Sequence, residues 1–514
     1  MTLLDMLATT AVRVPHRPAF VFRERRLSYA ELHAGARRMG GLLQSLGVRR
    51  GDRVILLLPN APEFGVGYFG ILAAGAAVVP LNPLLKVEEV RYILEDSRPA
   101  AMVCIATTYP LVQGARRGLG RHIPVLVLDP TMSGLEPGDI AWGTAETLPQ
   151  AATTALVEAE DVAACLYTSG TTGRPKGAML SHRNLLANIQ SFQEILAVTE
   201  ADVFLTVLPM FHAFAATVMF LEPLSVGACI VVEPRFAPEL VLKAIALHRV
   251  TLFAGVPTMF AVLAGLPRPA ADLSPWRLCI SGGAPLPPAV LEAFEAKYGV
   301  PIFEGYGPTE CAPVLTVNPP RGLRKIGSVG PAIPQVELRI VDDAGAPVPV
   351  GQVGEILARG PNVMQGYWNR PEETAEVLRD GWYHTGDLGR VDEDGYYSIV
   401  DRKTDLILVG GLNVYPREVE LVLADHPAVV EAAVIGVPDP VRGEVPKALV
   451  VLREGQPADP QALLQWCRQR LANYKVPREI ALVPSLPKTV TGKILKTELR
   501  RAGEAPRNAG TPAG

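Results

Sequence analysis

The sequence predicts an α/β protein: a large N-terminal domain of two parallel-type sheets with helices plus a β-barrel-like subdomain, then a small α+β C-terminal domain. Three observations carry this. The chain has 514 residues, beyond the ~250 to 300 at which a single hydrophobic core stops growing, so it divides. Short apolar runs alternate with helix-length stretches in two separate sections, which is the pattern of sheets covered by helices. The spacing then contracts and Gly and Pro multiply, which reads as antiparallel or barrel-like.

The first section runs from Val54 to Leu128. Its strand-like runs are Val54 to Leu58, Ala77 to Val79, Ala101 to Ile105 and Val125 to Leu128, with a helix over Val87 to Asp96. The second begins after Asp202, with Val203 to Leu208, Cys229 to Val232, Val250 to Phe253 and Leu278 to Ser281, and with helices over Pro238 to His248 and Pro288 to Tyr298. Ile326 to Val400 is the contracted section. Past a boundary placed at residue 402, the smaller unit has strands near Val429 to Val434 and Ala448 to Leu452 and a helix near Pro460 to Leu471. The tail from Ala502 lacks a large apolar anchor and is expected to be disordered.

Composition narrows the function classes. Hydrophobic residues are 48% and charged ones 20%, so the chain folds rather than remaining disordered. A net charge of −3 gives no bulk attraction for a nucleic acid, which points to small-molecule partners. The six cysteines are scattered, contain no CxxC pair and suit reduced thiols in the cytoplasm. Phe64 to Leu81 is uncharged, yet its Gly and Ala content and Pro80 fit a buried helix followed by a strand rather than a membrane span. The N-terminus shows no secretory pattern. The oligomeric state is not legible.

Five clusters carry chemistry. Thr168, Ser169, Gly170, Thr171, Thr172, Gly173, Arg174, Pro175, Lys176 and Gly177 follow an apolar run. Glycines admit positive φ and close approach, while hydroxyls, amides and Lys176 offer donors to phosphate oxygens; the alternative is a flexible linker. The segment is not GxxxxGK[ST]. Glu304 to Glu310 ends a strand with Tyr306 able to stack on a base, a Thr309 hydroxyl for phosphate and a Glu310 carboxylate for Mg2+, although a plain turn also fits. Asp387 follows Gly386 and is able to accept ribose hydroxyl protons, or simply marks a turn. Asp401-Arg402 offers a further ribose or phosphate contact, or a surface ion pair. Lys493 follows a glycine turn, where a solvated lysine is the plain alternative.

In this order and at these separations, the clusters resemble the adenylate-forming superfamily, which includes acyl-CoA synthetases, nonribosomal-peptide adenylation domains and firefly luciferase. The resemblance runs from about Ala11 to Arg501. It implies ATP, Mg2+ and coenzyme A as cosubstrates and cofactor, and a small C-terminal domain that caps the site. Thr168 to Lys176 would form the phosphate loop, with Gly283, Ala284 and Tyr306 as the adenine pocket. Thr309 would touch the α-phosphate, Glu310 would hold Mg2+, Asp387 and Arg402 would bind ribose, and Lys493 would bridge the acyl carboxylate and phosphate. The small domain would then turn near Arg402 and admit the thiol along Gly410 and Gly411. Thr404 departs from the Asp or Lys that relatives usually carry at this hinge. Pro308 departs from the Met or Leu common in acyl-CoA-forming members.

His212 resembles the histidine that acyl-CoA synthetases set beside the substrate carboxylate; the alternative is a packed core histidine. No aspartate lies between Leu208 and Phe220 to pair an amino acid's ammonium. The expected acyl wall is Phe211, Phe214, Val256, Met259, Phe260, Gly282, Gly283 and Val314, apolar residues that suit an alkyl chain. Cys311 to Pro319 holds no Arg or Lys, which disfavours a dicarboxylate. The resemblance therefore implies an AMP-forming ligase for a medium- or long-chain fatty acid. The alternatives are an aryl-CoA ligase, a carrier-protein-loading acyl-AMP ligase and, in another class, a non-catalytic adenylate-binding protein.

Overall fold

A computed structural model of the protein describes residues 1–129, 133–142, 156–169, 174–456, 458–489 and 492–504. Its contacts divide the chain into two compact units. Unit one is Met1–Leu338 with Ala358–His384, and unit two is Arg339–Leu357 with Thr385–Gly514.

Unit one holds two eight-stranded sheets. In the first, Arg53–Leu57 lies between Ala77–Pro80 and Ala101–Cys104, with Val54 opposite both Val78 and Ala101 in parallel register. These strands are almost wholly buried, as runs covered on both faces must be. In the second, the parallel core is formed by Val203–Thr206, Cys229–Val232, Leu252–Gly255, Leu278–Ser281 and Ile302–Tyr306. The expected strands are therefore present with ends shifted by a few residues.

The expectation of parallel pairing needs correcting at the edges. Val162–Ser169 and Pro175–Ser181 form an antiparallel hairpin, and Gly366–Tyr367 adds antiparallel beyond it. The other sheet carries antiparallel edges at Thr316–Val317 and at Pro18–Phe22 with Arg25–Ser28. Where consecutive strands are joined closely, as in the hairpin and between Pro18–Phe22 and Arg25–Ser28, the connection is too short for the crossover that a parallel pair demands.

The uncharged stretch Phe64 to Leu81 falls on the helix Pro62–Ala73, after its Glu63, and the strand Ala77–Pro80. Gly70 of this helix and Gly40 of the helix Tyr29–Ser45 let the two pack closely. A Cβ on Gly70 would lie 2.7 Å from Met39, and one on Gly40 would lie 2.7 Å from that of Ala73. Among the described residues, no helix is long and apolar enough to cross a membrane. All six cysteines are free and buried.

In unit two, Tyr397–Arg402 pairs antiparallel with the part of Trp382–Val391 that follows His384, with Asp387 opposite Arg402. A second sheet combines Ile407–Val409, Leu412–Val414, Val429–Asp439, Gly443–Leu452 and Glu479–Leu482. The contact division thus falls earlier in the chain than residue 402. Glycine and proline spacing identifies those strands as strands, but only packing assigns them to a body. The helix Lys496–Glu504 extends past Ala502, and residues 505–514 lie outside the described residues.

Candidate functional site

Unit one brings Thr168, Lys176 and Glu310 together. The hairpin that presents Thr168 and Lys176 is anchored from below by Asp96, which accepts from Tyr167 Oη at 2.6 Å and from Arg370 Nη2 at 2.7 Å. Tyr92 Oη donates to the Pro175 carbonyl at 3.1 Å, and Arg174 lies over the Tyr92 ring at 5.4 Å. The stem is therefore held by partly buried polar bonds, which cost more to leave unmade than exposed ones. The expected loop residues Gly170, Thr171, Thr172 and Gly173, and the Ser169 side chain, lie outside the described residues.

Glu310 sits in a short 3-10 turn, Thr309–Cys311, and is buried. Its Oε1 accepts from Tyr367 Oη at 2.9 Å, while Thr168 Oγ1 lies 3.5 Å from the same oxygen. Lys176 forms an ion pair with Glu373 and lies 5.3 Å from the Tyr367 ring centroid. Burial, then the charge of Glu310, raises the Tyr367 phenol far above its usual pKa, so it stays a donor. Sequence reasoning missed both Tyr367 and Glu373. Tyr367 lies in an otherwise ordinary Gly-Tyr-Trp run, and only the strand pairing of Tyr367 with Ala178 carries it to the hairpin.

The donor set fits Mg2+. Glu310 and Thr168 offer hard oxygen donors, 3.5 Å apart, of the kind Mg2+ takes. No group of three or more His, Cys, Asp or Glu able to hold a metal occurs among the described residues. Mg2+ that arrives with nucleotide phosphates needs only one or two carboxylates, unlike a cation held in an all-protein cage.

Tyr306 ends the strand Ile302–Tyr306, half-buried. Gly283 has φ 80°, and a Cβ there would approach Val256 Cγ1 at 3.6 Å, while Ala284 is half-buried beside it. This turn requires glycine for its conformation rather than for lack of room. His212 Nδ1 accepts from the Phe214 backbone N–H at 3.3 Å, so the neutral ring carries its proton on Nε2.

The acyl-wall residues separate into groups. Val256 and Val314 are buried in one apolar cluster, against which Phe214 and Met259 pack. Gly282 faces Phe214, whose ring atoms would stand 3.3 Å from a Cβ at 282. Phe211 packs against the larger core. Phe260 lies in a different cluster, 5.8 Å from Phe253 and 5.2 Å from Phe294 by ring centroids, with Met259 packed against both clusters. Backbone alternation explains that separation: Phe253 projects from the opposite face of its strand to Leu252 and Ala254, and helix packing draws Phe260 to Phe253. A groove of about 750 Å³ elsewhere, lined in part by Leu242, Lys243 and Leu266, contains none of these residues.

Unit two gathers Asp387, Arg402 and Lys493. Asp387 is buried and its Oδ1 lies 3.2 Å from Arg402 Nε, a cross-strand ion pair set by their register. Lys493 is presented by a turn. Its N–H donates to Thr489 Oγ1 at 3.1 Å, its carbonyl accepts from Thr489 N–H at 2.7 Å, and Gly492 has φ 80°. The following helix is tied down by Lys496 to Glu420 at 2.7 Å and Arg500 to Asp405 at 2.5 Å.

Crowding by surrounding protein, then the charge of Arg402, pulls the Lys493 pKa down to about 8, against the opposite pull of Asp387 and Asp405. The residue nonetheless keeps an exposed surface. Water tempers the crowding there, so the charged neighbours are what a substitution can alter. Gly410 and Gly411 form the tight turn between Ile407–Val409 and Leu412–Val414, with φ of 58° and 83°. Two consecutive positive φ values are what such a hairpin demands, which accounts for both glycines without a ligand.

Comparison with known proteins identifies the family. The family model described as AMP-binding enzyme matches residues 7–368, and that described as AMP-binding enzyme C-terminal domain matches 418–493. A feruloyl-CoA synthase of Amycolatopsis sp is 42% identical, covering 95% of this chain and 96% of that one. A long-chain-fatty-acid–CoA ligase of Bacillus subtilis (strain 168) is 38% identical, covering 97% and 94%. The crystal structure of ATP-bound MatB from Rhodopseudomonas palustris superposes with a TM-score of 0.90 at 35% identity, covering 98% and 99%.

Proposed function

Because the chain belongs to the AMP-binding enzyme family, we propose that Thr309, Glu310 and Lys493 carry the activation of an apolar carboxylic acid by ATP. The chain is an acid–thiol ligase that takes ATP, Mg2+ and coenzyme A. The acid's oxygen attacks the α-phosphorus, diphosphate leaves, and the thiol then displaces AMP from the acyl-adenylate. Two anions must meet in the first step, so fixed positive charge and positioning do most of the work.

In this reading the phosphate loop from Thr168 to Lys176 holds the β- and γ-phosphates, and Thr309 donates to the α-phosphate. Glu310 would hold Mg2+, which would supply positive charge against the phosphates. Tyr306 lies along the adenine, with Gly283 and Ala284 at its edge, and Asp387 and Arg402 bind ribose. His212 donates through Nε2–H to the acid's carboxylate, and Lys493 bridges that carboxylate and the α-phosphate. The C-terminal part from residue 403 then turns near Arg402 to expose the adenylate to the thiol. A cytoplasmic location belongs to the same proposal.

The acid is a medium- or long-chain fatty acid. The observation that carries this is the uncharged cluster of Phe214, Val256, Met259 and Val314, which offers an alkyl chain dispersion contacts and gives an ionic tail no partner. A second reading, a phenylpropenoic acid, is favoured by the Phe214 ring lying against Gly282, an arrangement that suits a flat ring, and by the feruloyl-CoA synthase relative. The deciding experiment is incubation with ATP, Mg2+, CoA and a panel of acids from acetate to palmitate, with benzoates and ferulate. Thioesters are identified by mass and ranked by kcat/KM. A maximum among C8 to C18 acids is expected. Preference for ferulate would replace the fatty-acid reading with the second, and formation of no thioester at all would overturn both.

A further inference from the structure

Side chains outside the expected site surround two charged groups of unit one, Glu310 and Lys176. Tyr367 is the common member. Its hydroxyl donates to Glu310 Oε1 at 2.9 Å in a buried bond, and its ring lies beneath the Lys176 ammonium at 5.3 Å from the centroid. Tyr383 supplies a hydrogen bond to the same phenol, so Tyr367 is held in turn. On its other side Lys176 pairs with Glu373, the third residue of the helix Pro371–Val377. That helix is tied to Tyr367 through Thr374, whose Oγ1 accepts from the Tyr367 N–H at 2.9 Å.

We propose that Tyr367 is a positioning residue that holds the Glu310 carboxylate and the Lys176 ammonium in one arrangement, and that Glu373 is the counter-ion Lys176 exchanges for nucleotide phosphate. The proposal rests on the reading of Glu310 and Lys176 given above. A carboxylate with one oxygen engaged by a buried phenol has its plane fixed and its second oxygen directed, which is how an outer partner tunes a metal ligand. A lysine lying on an aromatic face and paired to a half-buried carboxylate is held ready rather than solvated. Lys176 is 14% and Glu373 31% exposed at the side chain, so anionic phosphate oxygens can compete for the ammonium without opening the core.

The test is calorimetric titration of ATP into the full chain without acid or CoA, at graded Mg2+ and in Mg2+-free buffer, so that no turnover occurs. Tyr367→Phe keeps the ring and loses the hydroxyl. It should raise the Mg2+ concentration for half-maximal ATP binding about tenfold or more, the usual scale for losing such a partner. Its Mg2+-free ATP affinity should stay within about twofold, because the ring beneath Lys176 remains. Glu373→Gln should tighten Mg2+-free binding by about two- to fivefold, the scale of a partly exposed ion pair.

Melting temperatures within a few degrees of the parent confirm that each variant is folded, and the partly exposed Glu373→Gln keeps the test usable if Tyr367→Phe is damaged. An unmoved Mg2+ midpoint in Tyr367→Phe, or unchanged or weaker Mg2+-free binding in Glu373→Gln, overturns the proposal. Glu310→Gln separates the layers. If it leaves Mg2+ dependence intact, the metal role of Glu310 itself fails. If it abolishes that dependence while Tyr367→Phe changes nothing, only the positioning role fails.

Discussion

The two units hold their charged residues by different means. In unit one, Glu310 is buried, hydrogen-bonded to a phenol and set beside a hairpin whose stem is held by Asp96, Tyr167 and Arg370. In unit two, Lys493 sits on an exposed turn, and its state depends on Arg402, Asp387 and Asp405. The first arrangement resists rearrangement because its polar groups are buried or partly buried and would be expensive to strand. The second is adjustable because exposed charges cost little to rearrange. A group that must act in one half-reaction and withdraw from the next belongs on the second kind of support.

The sharpest way to break this contrast is Lys493→Ala. Acyl-adenylate formation, measured by ATP–diphosphate exchange, should fall by about 10²- to 10³-fold, the scale of losing one fixed charge at a developing anion. Thioester formation from supplied acyl-adenylate should stay within about twofold, since no bond in that step needs the amine. Equal loss in both half-reactions would mean that the lysine supports the structure rather than one step.

Glu222 probes the rigid unit from within. It is fully buried, and neither carboxylate oxygen has a hydrogen-bond partner. Burial, then Asp202, raises its pKa well above the ordinary 4.5. The folded state therefore keeps a proton that the unfolded state releases, so the stability present below pH 4.5 is lost as pH rises. Glu222→Gln should match the parent near that pH and gain on it by up to about 1.4 kcal/mol per pH unit above it. Parallel stability curves for parent and variant, from denaturant unfolding across pH, would show that the carboxyl is not held neutral.

The smallest effect is expected in the adjustable unit. Lys493 is cationic below its pKa of about 8 and loses its charge above it, so adenylation should decline as pH rises through that value. Arg402→Gln removes a repelling charge, and the decline should move to higher pH. The ratio of rates measured on either side of the parent midpoint reads this directly, even if ribose binding also weakens. An unmoved limb would show that crowding alone sets the lysine.

Much of this was legible in order and spacing. Strands such as Val54 to Leu58 and Cys229 to Val232 announce themselves because a strand covered on both faces must be apolar throughout. The helix Pro288–Tyr298 matches its expected bounds because proline at its start and Gly299 after it are local signals. Phe260 was not legible. It is as apolar as Val256, but which face of a sheet it packs on depends on partners far along the chain. Tyr367 was equally silent, since its chemistry comes from Glu310 and Lys176, distant neighbours that only the added edge strand brings near.

By itself, then, the sequence determined which residue types could touch a phosphate, a ribose or a metal, because glycine conformation, hydroxyl donors and carboxylate charge are properties of the residue and its immediate neighbours. Tertiary structure alone decided which of these meet within each unit, which carboxylate is oriented by a phenol and which lysine has its pKa lowered. Those are consequences of distance and burial, and no single stretch of chain encodes either.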